Sequence, residues 1–99
     1  MRLKQQELDI IKQSAIKFFG DSSHIYIFGS RVDDAKKGGD IDIFIETNKN
    51  ENILESKIKF LVELEKKLGE QKIDLIVKNI NSDENLPVYD IAKRQGVRL

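Results

Sequence analysis

Seven residues, Asp40-Ile41-Asp42-Ile43-Phe44-Ile45-Glu46, constrain this chain more than any other stretch. Isoleucine takes every second position, and acids and one aromatic ring take the rest. A strict period of two is the signature of a strand with one face buried, because successive side chains point to opposite sides of a sheet. Ile41, Ile43 and Ile45 form one face; Asp40, Asp42, Phe44 and Glu46 form the other. A later run, Lys72 to Lys78, repeats the pattern with Ile73, Leu75 and Val77 on one side and Asp74, Ile76 and Lys78 on the other. Two strands that each set an aliphatic triplet against a face bearing aspartate require a sheet with a covered side.

The remaining elements supply the cover. Leu8, Ile11, Ala15 and Phe18 recur at helical spacing between Gln5 and Phe19, and Gly20 stands where a helix would stop. His24 to Phe28 is β-branched and aromatic, apolar almost throughout, and reads as a central strand buried on both faces. Asn52 with Glu55 resembles a capping box for a helix ending at Leu68, with Leu54, Ile58, Leu61 and Leu68 as its core stripe and Leu64 alongside; Gly69 follows. Pro87 suits the first turn of a last helix running to about Gln95, after which Val97-Arg98-Leu99 fits a short terminal strand. The expected fold is therefore α/β or α+β: a small mixed sheet with helices packed on its aliphatic face, and one domain over residues 1–99.

Composition excludes several classes. Lys+Arg and Asp+Glu both number 17, so the net charge is zero, which argues against direct polynucleotide binding. Without cysteine there is no disulfide framework and no thiol nucleophile, and a single histidine makes a structural zinc site improbable. No apolar run approaches the roughly 18 residues a membrane span needs, and the N-terminus lacks a signal-peptide core. No membrane association and a cytoplasmic location are the resulting expectations.

The chemistry lies between the first two strands. Gly29-Ser30 breaks the first strand, and Ser30-Arg31-Val32-Asp33 matches a Ser-x-x-acid cap, so a short helix is expected to start there. A capped helix start is also an anion site, which makes Gly29, Ser30 and Arg31 candidate phosphate ligands. Arg31, Lys36 and Lys37 could equally solvate a loop. Asp40 and Asp42, two positions apart in a strand, share a face and repel. A divalent cation with hard oxygen preference, such as Mg²⁺, relieves that repulsion. If the second and third strands pair, Asp74 joins them, either completing the metal site or acting as general base toward a hydroxyl. The plain alternative for each aspartate is a solvated sheet face, and for Gly29-Ser30 a tight turn. His24 fits a turn or strand-edge role, Tyr26 and the phenylalanines fit the core, and for Tyr89 a place on the surface of the last helix stays open.

Gly29-Ser30, nine intervening residues, Asp40-Ile41-Asp42 and the later Asp74 in Lys72-Ile73-Asp74-Leu75-Ile76-Val77 together resemble the signature of the DNA polymerase β-like nucleotidyltransferases, and the short chain resembles their minimal branch. The resemblance implies transfer of a nucleoside monophosphate from a triphosphate to a hydroxyl. It makes Gly29 and Ser30 triphosphate ligands. Asp40 and Asp42 become ligands of two Mg²⁺ ions, and Asp74 supports the metal that activates the acceptor. Proteins of this branch commonly act as antitoxins beside a helical HEPN-type ribonuclease toxin, so the resemblance also implies AMP transfer from ATP to a tyrosine of such a partner. Neutralisation by binding alone, or modification of a small molecule such as an aminoglycoside, are the rival expectations.

Overall fold

The computed structural model describes residues 3–29 and 41–99. In chain order the elements are α1 (Gln5–Phe19), β1 (His24–Phe28), β2 (Ile41–Thr47), α2 (Ile53–Leu68), β3 (Ile73–Asn79), α3 (Pro87–Gln95) and β4 (Val97–Arg98). The strands form one sheet in the order β3-β2-β1-β4. β1 pairs antiparallel with β2 and with β4, while β2 and β3 run parallel. A parallel pair needs a crossover, and α2 provides it. The sheet is thus mixed, with β1 in its interior, as its apolar sequence requires. No helix among the described residues is long and apolar enough to cross a membrane.

Several helix ends have a local cause. The Glu7 carboxylate accepts the Lys4 N–H at 3.0 Å and so satisfies one orphan donor of the α1 start. Gly20, at φ 102°, closes α1 by donating its N–H to Ile16 O at 2.9 Å. Pro87 begins α3, as its fixed φ favours. Asn52 departs from expectation: it adopts the left-handed region (φ 55°) and makes no side-chain cap bond. Glu55 pairs instead with Lys59 one turn on, at 2.8 Å.

The main core lies between the aliphatic face of the sheet and the helices α1 and α2. Ile41, Ile43 and Ile45 of β2 are fully buried there with Ile11, Ala15, Phe19, Phe60 and Leu64. The Phe19 and Phe60 rings meet edge to face at 5.7 Å. At the end of β2 the Thr47 hydroxyl donates to Phe19 O at 2.7 Å, anchoring the strand to the end of α1. The ion pair Lys17–Glu63, at 2.8 Å, ties α1 to α2 on the outside.

Two expectations about packing need correction. The inward face of α2 carries Ser56, Phe60 and Leu64, so Leu54 and Ile58 point to solvent at 69% and 54% exposure, while Leu61 and Leu68 are only partly covered. A helix buries one arc, and the arc that seats the large Phe60 ring against Phe19 turns Ile58 away. Helices on one face of the sheet describes α1 and α2 but not α3. The third helix packs on the opposite face, through Tyr89 and Ala92 against Tyr26 and Phe44. Phe44 stacks on Tyr89 at 5.2 Å and on Tyr26 at 5.9 Å. An aromatic cluster on the acid-bearing face leaves apolar area that only another element can cover.

Candidate functional site

The acid-bearing face is built of three rows, set by the register of β1, β2 and β3. Phe28, Asp42 and Asp74 share the first row; Tyr26, Phe44 and Ile76 share the second; His24, Glu46 and Lys78 share the third. Rows along a strand are two residues apart, or about 6.7 Å. Among the described residues α3 covers the second row and reaches the third, which leaves the first row open at the edge of the covered area.

The open row carries the candidate chemistry. Asp42 and Asp74 are register partners on parallel strands, and neighbouring strands lie about 4.8 Å apart. Their side chains project from the same face, Asp42 half-buried and Asp74 exposed. Gly29 follows Phe28, the β1 partner of Asp42, and turns the chain with φ at 80°. A Cβ placed on Gly29 would collide with the Asp42 carboxylate. The backbone therefore passes directly over that carboxylate, and only a residue without a side chain permits it. Two aspartates from different strands, with a bare backbone above one of them, offer hard oxygen donors beside a surface that a phosphate can approach closely.

The structure brings together Gly29, Asp42 and Asp74 among the candidate residues. Ser30, Arg31 and Asp40, the short helix expected from Ser30, and Lys36 and Lys37 lie outside the described residues. Among the described residues no group of three His, Cys, Asp or Glu side chains could hold a metal. The donor set found here is Asp42 with Asp74, and it fits a divalent cation in ligand chemistry and in face.

Two features of this face go beyond the sequence reading. The first is Glu46, a carboxylate only 5% exposed in the third row. One of its oxygens lies 3.0 Å from Lys93 Nζ on α3, and the other lies 3.6 Å from His24 Nδ1 on β1. A buried charge needs such partners, and the pair clamps α3 to the sheet. The second is Tyr89, buried on α3 with Lys78 Nζ 5.8 Å from its ring centroid. Burial, then the negative charge of Glu84 and a hydrogen bond to it, push its hydroxyl pKa above the usual 10.0. The sequence carried half of each signal: Glu46 shares the period of Asp42, but nothing local assigns it to Lys93.

Comparison with known families agrees with this geometry. The family model described as Polymerase beta, Nucleotidyltransferase matches residues 7–97, from α1 through the first residue of β4. No curated protein matches the chain.

Proposed function

This chain belongs to the polymerase beta nucleotidyltransferase family, and we propose that it transfers AMP from ATP to the hydroxyl of a partner protein, with Mg²⁺ held between Asp42 and Asp74. The observation that carries the reading is the first row of the acid-bearing face: two register-paired aspartates, one beneath a glycine that cannot be replaced without striking it.

The residues divide the work by position. Asp42, half-buried beneath Gly29, would hold the metal on the triphosphate side. Gly29 leaves its backbone open to the phosphates, and Ser30 and Arg31 continue that contact in the proposal. Asp40 would add a third carboxylate in the proposal. Asp74 is the more exposed carboxylate, so it faces an incoming acceptor and would take its hydroxyl proton. Bound there, Mg²⁺ supplies neutralisation of phosphate charge and a lowered pKa for the acceptor hydroxyl. The acceptor oxygen forms its bond to the α-phosphorus as the bond from that phosphorus to the β-phosphate bridging oxygen breaks. Pyrophosphate departs with the electron pair.

In this reading the acceptor is a tyrosine of a HEPN-type toxin, and the chain serves as its cytoplasmic antitoxin. The support is the resemblance of the Gly29-Ser30, Asp40-Ile41-Asp42 and Asp74 pattern to that branch of the family. The test is incubation with labelled ATP, Mg²⁺ and a HEPN-type toxin, for wild type beside Asp42→Asn and Asp74→Asn. Wild type labels the toxin, and each variant falls by about 100-fold or more, because each removes a ligand worth several kcal/mol in the transition state. Equal labelling by the variants would overturn the assignment. Full neutralisation of the toxin by both variants, without labelling, would establish inhibition by binding alone.

A further inference from the structure

The outer face of α2 carries an apolar ridge that no other described element packs against. Leu54, Ile58 and Val62 stand one turn apart, exposed by 69%, 54% and 44%. Single exposed apolar side chains are ordinary, but three in line form a continuous strip about 12 Å long. The helix is therefore apolar on both sides, with Phe60 and Leu64 inward and this ridge outward. That pattern belongs to a helix covered on both sides. Ile58 and Val62 also line a shallow depression of about 280 Å³ with Phe18, Lys59, Glu63 and Lys66.

Charge along the ridge has a direction. The edge toward α1 carries Lys17, Lys49, Lys59, Lys66 and Lys67 against Glu55 and Glu63. Lys59 occupies Glu55, and Lys17 and Lys67 both lie on Glu63. The second edge, with Lys57 and Glu65, is balanced. An apolar strip with one basic edge complements an amphipathic helix whose apolar stripe is bordered by acids.

We propose that the outer face of α2 docks an acidic amphipathic helix of a partner protein. The apolar strip favours this occupant over a nucleic acid, which would leave the three aliphatic side chains exposed. A second copy of the chain is disfavoured because it would set this basic edge against itself. The docking face lies across the sheet from Asp42 and Asp74, so an occupant leaves the open row accessible. The inference involves no step of nucleotidyl transfer and stands or falls separately from it.

The test uses the full chain and two fluorescein-labelled synthetic helical peptides of about five turns. They share one leucine stripe, flanked by glutamate in one and by lysine in the other. Anisotropy titrations should show saturable micromolar binding of the glutamate peptide and binding of the lysine peptide weaker by about tenfold. Ile58→Ser/Val62→Ser should weaken the glutamate peptide by about tenfold or more, and Lys66→Glu by several-fold, with unchanged melting temperatures. Asp42→Asn should bind as wild type does. Amide shifts in ¹⁵N spectra should map the peptide to residues 54–66. Equal affinity for the two peptides, no loss in the double variant, or no binding at millimolar peptide would overturn the proposal. So would a concentration-dependent dimer whose shifts map to the same face, or displacement of the peptide by a short single-stranded RNA.

Discussion

Replacing Gly29 by alanine tests the central geometry most directly. Two costs follow from the structure. At φ 80° an L-residue with a side chain is strained, by about 1–2 kcal/mol. The new Cβ also strikes the Asp42 carboxylate, so strand, turn or side chain must shift, and forced shifts of this kind cost about 1–3 kcal/mol. The sum, about 2–5 kcal/mol, is a large share of the 5–15 kcal/mol expected for a domain of this size. The two terms separate in a double-mutant cycle. In an Asp42→Gly background the carboxylate is gone, so Gly29→Ala retains only the strain of the left-handed backbone. Urea unfolding of the four proteins should therefore give a coupling of about 1–3 kcal/mol between the sites. Binding of ATP with Mg²⁺, followed by calorimetry on the Gly29→Ala protein at a temperature where it is folded, should be lost. A coupling below about 0.5 kcal/mol, or nucleotide binding that survives the alanine, would refute the claim that Gly29 is bare because the Asp42 carboxylate lies beneath it.

Three further outcomes follow from the clamp and its neighbours. Lys93→Met leaves the buried Glu46 carboxylate without its 3.0 Å partner, so urea unfolding should show a loss of about 1–3 kcal/mol, part of it recovered by adding Glu46→Gln. Gly96→Ala should cost about 1–3 kcal/mol without any backbone strain, because its Cβ would meet Ala92 O and stand 2.9 Å from Ile27 O, and amide exchange in β4 should rise with it. Tyr89 holds its proton more tightly folded than unfolded, so its share of stability is complete below pH 10.0 and drains away as pH rises beyond it. Tyr89→Phe should flatten the alkaline limb of the urea midpoint measured against pH.

How far the sequence discloses the molecule depends on whether the determining contact is local. The two alternating strands were legible because a period of two is a property of the segment itself, and their register then sets Asp42 opposite Asp74. Helix ends at Gly20, Gly69 and Pro87 were legible for the same reason. The inward face of α2 was not, since the helix is apolar on two sides and only the Phe19–Phe60 contact chooses between them. The side taken by α3 was also hidden, because it depends on Tyr26 and Phe44 meeting across β1 and β2 before Tyr89 can stack there. Glu46 read only as one more acid on the second face of its strand; its partner Lys93 lies far along the chain. Of the candidate site, Gly29, Asp42 and Asp74 converge, while Ser30, Arg31 and Asp40 fall outside the described residues.

The parallel ladder between β2 and β3 has one more consequence. Among the described residues β3 has β2 as its only neighbour in the sheet, so it lies at the rim. Asp42 sits on an interior strand and Asp74 on this rim, so the two carboxylates belong to parts of the molecule that come loose at different rates. A cation gripped by both would act as a clasp across the parallel seam of the sheet. Loaded and unloaded protein would then differ first in how often the rim peels away, well before they differ in whether the whole chain unravels.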